Sequence, residues 1–330
     1  MSELVLNNSS KFSGRFKIVK KIGDTITHDN GWQDNLITDA GLKALAAGTF
    51  KNSQARNVHL SSNSDVPTVE DVTITNSVGV GNTESESPLQ FSSLNREGNY
   101  YYTKSTLSYK VTKGNNYIVS KIHLAANSNS TAVPFTSALI KDLLGNPTTI
   151  AVLPEEDLYV EYELRQYFEL VEEVNAITIS VRGIDKSFTI RSKPYALGQL
   201  EWKKAIPHFN SDVGRSWADN QSLRFTVIDG YPDTFTSSKN FVENFPDYNQ
   251  NTGEHGSYTY QAASPYSRRF YQKIKPNGGN YEDGIKYFSV SSCRGVYVFE
   301  VLDANGKGIP KTKNDELVIV FNTTVGRYEL

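Results

Sequence analysis

Residues 157–167, DLYVEYELRQY, alternate strictly: Leu158, Val160, Tyr162 and Leu164 fall on one face, Tyr159, Glu161, Glu163 and Arg165 on the other. A period of two is what a half-buried strand requires, so the spacing predicts a strand with one face in a core. Residues 176–184 (AITISVRGI), 222–230 (SLRFTVIDG), 295–306 (GVYVFEVLDANG) and 316–322 (ELVIVFN) repeat the theme. They are rich in β-branched and aromatic residues and bounded by turn formers. Residues 101–125 read as two strands joined in a hairpin across Lys113, Gly114, Asn115 and Asn116, because Gly and Asn accept positive φ. No unit alternates strand with helix, which argues against a parallel α/β fold.

One stretch departs from this pattern: residues 31–48, GWQDNLITDAGLKALAAG. Thr38 suits an N-cap, Asp39 places negative charge in the first turn, Leu42, Leu45 and Ala46 form an apolar stripe, and Gly48 supplies a stop. The predicted helix, 38–47, has about two turns and is unstable alone in water. Leu36, Ile37, Leu42 and Leu45 must therefore dock it against a sheet, as a plug over one end of a β-sandwich. The expected fold is mostly β: antiparallel β-sandwich domains with one short N-terminal helix and long loops. The strand set changes near 168–175, which divides the chain into a helix-bearing domain, 1–170, and a C-terminal β-rich domain, 171–330, with aromatic loops. The alternative is one continuous sandwich in which residues 309–321, IPKTKNDELVIVF, return to pair with the N-terminal strands.

Charge removes several partners. The 330 residues carry 34 Lys and Arg against 36 Asp and Glu, a net charge of −2, and no run of like charge long enough to form a tail. Nothing in that balance recruits nucleic acid or an anionic membrane. Apolar runs fall short of the roughly 20 residues of a bilayer span, and residues 1–12 lack signal-peptide character, so synthesis in a cytoplasm without membrane insertion is expected. The single cysteine, Cys293, excludes an intramolecular disulfide and reads as a small buried hydrophobe.

Catalytic chemistry leaves few traces. His28, His59, His123, His208 and His255 show no metal-ligand spacing, and there is no G-x-S-x-G, no Cys–His pairing and no glycine loop leading into a helix. No metal or other cofactor is implied. Glycan cleavage needs two carboxylates about 5–10 Å apart. The candidates are Glu155, Glu156 and Asp157, then Glu172 and Glu173, then Glu282 and Asp283; they follow a proline or lie in polar connections and read as solvated surface charge. The chain is therefore expected not to be an enzyme.

Residues 229–286 carry many aromatics among Asn, Ser, Gly, Pro and Gln. Rings bring contact area at low entropy cost, so such a segment anchors itself to a sheet, contacts another subunit, or stacks on sugar. Tyr248, Tyr258, Tyr260 and Tyr266 are the candidate interface residues, with Arg268 and Arg269, which read first as ordinary surface arginines and second as a match for an acidic partner patch.

The order of W-x-D-N-L-I-T-D-A-G-L (32–42), VHLSSNSDVPTVED (58–71), the segment 135–167 and GIPKTKNDELVIVF (308–321) resembles a family of bacteriophage tail and virion-associated structural proteins. The likeness covers about half of the chain, mainly 15–167, with a weaker echo at 295–328. It implies a particle component and not a catalyst: a subunit of the tail, at the baseplate, collar or fibre-attachment region, made in the host cytoplasm and assembled as a homo-oligomer or on other tail subunits. A second reading is a receptor-binding or glycan-recognising tail fibre protein whose aromatic loops touch a host surface glycan. A glycan depolymerase ranks third.

Overall fold

The alternation of DLYVEYELRQY is realised: Leu158, Val160, Tyr162 and Leu164 are all buried in one core. The computed structural model describes residues 2–47, 55–83, 92–111, 116–129, 131–197, 224–228, 230–233, 235–237, 265–274, 281–292 and 295–329. In chain order the first half holds β1 (Ser2–Ile22), β2 (Thr25–Asp29), β3 (Gln33–Ile37), α1 (Asp39–Ala47), β4 (Asn57–Ser61), β5 (Ser77–Thr83), β6 (Ser92–Glu97), β7 (Tyr100–Val111), β8 (Tyr117–Val119), β9 (Lys121–Ala125), β10 (Pro134–Leu139), β11 (Ile150–Val152) and β12 (Asp157–Glu169). The second half holds β13 (Glu173–Val181), β14 (Ile184–Pro194), β15 (Ala196–Leu197), β16 (Arg224–Val227), β17 (Thr236–Ser237), β18 (Ser267–Ile274), β19 (Tyr287–Ser292), β20 (Gly295–Leu302) and β21 (Leu317–Arg327). The chain is mostly β, with one helix among the described residues.

The N-terminal strands do not form the expected sandwich. They run β12-β7-β5-β4-β9-β10-β3-β1, and β1 pairs back onto β12, so eight antiparallel strands close into a barrel. The physical reason is that alternation demands one buried face, and a sheet closed on itself provides it as well as two facing sheets do. Register stacks the interior in levels: Phe16 opposite Tyr162 opposite Leu107, then Ile18 opposite Val160 opposite Tyr109. At Gly14 a Cβ would lie 2.0 Å from Asn35 Oδ1 and 2.2 Å from Tyr162 Oη, so glycine there is a matter of space.

The hairpin expected over 101–125 is absent. β7 pairs with β12, β5 and β6, while β8 pairs with β11 and β9 with β4 and β10. A local turn signal was outweighed by longer ladders elsewhere: β7 meets β12 over twelve residue pairs, from Val111 to Tyr100.

The helix forms where its caps dictate. Thr38 Oγ1 accepts from the Gly41 amide at 3.1 Å, the geometry of an N-cap, and its own hydroxyl donates to Pro134 O at 2.6 Å. Ile37, Leu42 and Leu45 are buried in the barrel's hydrophobic cluster, so α1 is docked by three of the four residues named for that role; Leu36 is half-buried. It lies against β10, β3 and β21, at the end where β10 begins. Gly48 lies outside the described residues.

On the outer face of β4, β9 and β10, odd-numbered residues that should meet solvent are buried instead: Asn57, His59, Ser61, Lys121, His123 and Ser137. Residues 62–76, 126–129 and 131–133 cover them. Asn57 Nδ2 donates to Ala126 O at 3.1 Å, His59 Nε2 meets Asn127 O at 2.8 Å and Ser61 Oγ donates to Thr75 O at 2.6 Å. Ile74, Ala125 and Ala132 form a small cluster under the same cover.

β1 continues beyond the barrel. Its first residues pair in parallel with β21, from Ser2 opposite Leu317 to Phe12 opposite Arg327, and β18 pairs antiparallel with β21. Leu4, Leu6, Leu317, Ile319 and Phe321 share a second core with residues of a five-stranded sheet, β13-β14-β20-β19-β16. β13 turns into β14 through Arg182 and Gly183, both at positive φ (54° and 78°). Two such residues twist a tight hairpin in the direction its strands demand.

Candidate functional site

Of the residues expected at an interface, Tyr248, Tyr258 and Tyr260 lie outside the described residues, as does Cys293. Arg268 contributes backbone to β18. Arg269 donates through Nη2 to Glu3 Oε1 at 2.9 Å. Tyr266 is half-buried against the barrel cluster. Burial, then the negative charge of Asp39 and the hydrogen bond with its carboxylate, push its phenol above the usual tyrosine range. Arg327 binds the same carboxylate and donates through Nε to Ile37 O at 2.7 Å. Tyr266 and Arg327 thus tie β18 and β21 to the start of α1.

Within the aromatic segment the described rings also serve the fold. Tyr231 lies under Arg191 and Lys193, 4.7 and 4.6 Å from ring to cation, and Phe235 sits 5.3 Å from Lys193. Lys193 is buried, held by these rings and by Glu172 at 3.7 Å.

The carboxylate candidates separate. Glu282 and Asp283 are exposed, and Asp283 pairs with Lys286 at 3.2 Å. Glu172 pairs with Arg191 at 2.9 Å. Glu156 and Asp157, expected as solvated surface charge, are buried. Glu156 accepts from Lys20 Nζ, Thr27 Oγ1 and the Leu153 amide, each at 2.9 Å. Burial opposes its ionisation, yet those donors hold the carboxyl below its usual range. Among the described residues no group of three or more metal-ligating side chains occurs, and no helix is long and apolar enough to cross a membrane.

The feature with the strongest surface chemistry lies at the barrel end away from α1, where β10 and β1 finish and β12 starts. After β10 the chain makes a tight tip, closed by the Lys141–Pro147 bridge. The Asp142 carboxylate organises it, accepting from the Leu144 and Asn146 amides at 2.8 and 2.9 Å, and those backbone bonds hold it below the usual carboxylate range. The Gln33 amide clamps the base through the Lys141 backbone, with contacts of 2.6 and 3.0 Å. This fixed backbone presents Leu143 and Leu144, 90% and 87% exposed. Ile22, Ile26, Ile118 and Leu153, all exposed, stand at the same end. Glu156 and Lys20 bind its pieces together, since Lys20 Nζ also donates to Ala151 O at 2.8 Å.

Sequence reasoning missed this rim. The signal was present in LLGN, two leucines in an Asp/Gly/Asn turn, where apolar residues are out of place. Comparison with family models, with curated proteins and with solved structures returned no match.

Proposed function

We propose that the chain is a non-enzymatic structural subunit of a bacteriophage tail, at the baseplate, collar or fibre-attachment region, and that it docks on neighbouring subunits through the end of its barrel away from α1. One observation carries the docking: two leucines at nearly full exposure on a backbone held in place by Asp142 and Gln33, with four more exposed aliphatic residues at the same end of the barrel. Soluble monomers seldom leave such an apolar group uncovered, and a preorganised knob binds with little ordering penalty. The assignment to a tail, and so to the virion, rests on the resemblance of 32–42, 58–71, 135–167 and 308–321 to tail structural proteins. The partners are other tail subunits, including further copies of this chain.

The test is complementation of particles lacking this protein with Leu143→Ser/Leu144→Ser. The purified variant should keep the wild-type circular dichroism spectrum and melting temperature yet fail to enter tails. Normal incorporation refutes docking through this end; normal incorporation with lost adsorption to cells points to the receptor-binding reading. Incubated with host envelope polysaccharide, the wild-type protein should release no reducing sugar.

A further inference from the structure

The covered strip on the outer face of the barrel has a chemistry that neither docking nor barrel closure explains. His59 on β4 stands directly opposite His123 on β9, which stands opposite Ser137 on β10. His59 and His123 are 0% and 3% exposed. His59 Nε2, 2.8 Å from a carbonyl oxygen, must carry the hydrogen, so in the neutral ring Nδ1 is the bare nitrogen. That nitrogen is buried and makes no hydrogen bond. Ser137 Oγ meets His123 Nδ1 at 2.9 Å.

The charges that act on His123 are all positive. From β9 comes Lys121, from β4 His59 itself; β10 contributes only the Ser137 hydroxyl, and the covering residues 126–129 and 131–133 carry no ionisable side chain. The covering segment 62–76 carries Asp65, Glu70 and Asp71; Asp65 and Asp71 act on Lys121, and the hydrogen-bond partners of the imidazoles are a carbonyl and a hydroxyl, not a carboxylate. A proton on either ring therefore places positive charge in a dry site, beside a second histidine and a lysine, with no bonded carboxylate to neutralise it.

We propose that the His59–His123 strip is an acid-released latch: protonation of the two rings unseats segments 62–76 and 126–133 from the outer face of β4 and β9 while the barrel stays closed. The strip is what fastens those segments, through Asn57 to Ala126 O, His59 to Asn127 O and Ser61 to Thr75 O. The latch also reaches the helix, because the Asp39 amide donates to Val69 O at 2.7 Å within the cover.

The direction follows from linkage. Burial, then Lys121 and His59, lower His123 from 6.5 to about 3; burial also lowers His59. An opened cover returns both rings to water. The closed form is therefore fully favoured above pH 6.5 and loses ground as pH falls toward 3, by up to about tenfold per unit for His123, with His59 acting in the same direction. At pH 4.5, two units below the solvated value, His123 alone shifts the balance toward opening about a hundredfold.

Hydrogen exchange on the full chain, read by mass spectrometry at pH 7.5 and 4.5 and corrected for intrinsic exchange, tests this. Expected is a loss of protection of about a hundredfold or more in peptides from 62–76 and 126–133, with β12 peptides unchanged. His59→Gln keeps a donor for Asn127 O, His123→Asn keeps a partner for Ser137, and neither titrates, so the double variant should lose the pH dependence. Equal protection at both pH values, a loss that includes β12, or an unaltered response in the double variant overturns the latch. Should that variant not fold, side-chain NMR titration of the wild-type histidines decides: His123 titrating near 6.5 under a protected cover is equally fatal, and His123 staying neutral until the cover opens supports the proposal.

Discussion

Glycine is a poor helix residue, and replacing one by alanine in a helix interior normally stabilises by about 1 kcal/mol. Gly41, in the first turns of α1, should do the opposite. A Cβ there would sit 2.0 Å from Phe135 O and 2.9 Å from Phe135 C, both backbone atoms of β10. Ordinary contact begins at 3.4 Å, so α1 and β10 would have to part by 1.4 Å at this point. The strand cannot easily yield, because Phe135 O also accepts from the Thr38 amide at 3.0 Å and the neighbouring Pro134 O takes the Thr38 hydroxyl. Overpacking of this kind costs about 1–3 kcal/mol when absorbed locally. If the helix retreats instead, Leu42 and Leu45 give up part of a burial worth about 1.5–3 kcal/mol each. Because the clash is with backbone, the cost falls toward the upper end of the overpacking range, and set against the propensity gain Gly41→Ala should destabilise by about 1–2 kcal/mol. Urea unfolding should show a lower midpoint at unchanged slope, while Lys43→Ala, exposed on the same helix, should stay within about 0.5 kcal/mol of wild type. A Gly41→Ala protein as stable as wild type would mean that α1 does not press on β10.

Two further substitutions test other joints. Leu42→Asp puts an unpaired carboxylate into the barrel cluster and should cost several kcal/mol, read as a lowered melting temperature; an unchanged one would show the helix undocked. Lys20→Met leaves the buried Glu156 without its cation and should cost about 3 kcal/mol at pH 7. Because Lys20 helps hold the Glu156 carboxyl low, the pair's stabilisation is present above the ordinary carboxylate range and lost below it, as pH falls through the lowered pKa of the folded state. The gap between variant and wild type in chemical denaturation should therefore narrow by pH 4; a gap independent of pH would show that the pair is not ionic.

What could be read in the sequence was what is local. Thr38 and Asp39 marked the helix start because capping is settled within a few residues. β12 was legible because every inward position is apolar up to Leu164. β1 follows the same rule in Leu4, Leu6, Phe12, Phe16 and Ile18, but Ser10 and Gly14 occupy inward positions and break the pattern. Closure into a barrel was not legible, since alternation says that a face is buried and not what lies across from it. The histidine pair is 64 residues apart in the chain and exists only through the β4–β9 register. Tyr266 was picked out as aromatic, yet its bond with Asp39 depends on where α1 ends up against β18.

The partnership of β1 with β21 has a consequence for how the molecule is made. Residues 2–12 pair with 317–327, so the partner of β1 is translated about three hundred residues after it. Contacts of such sequence separation form slowly, after a large loss of chain entropy. The barrel, whose last strand is β12, can close when little more than half of the chain exists. During the interval Leu4 and Leu6 have no core to enter, and the backbone of residues 2–10 offers an open edge to any other strand nearby. In a cell synthesising many copies at once, that edge is the nascent chain's point of greatest exposure to its siblings, and the arrival of β21 ends it.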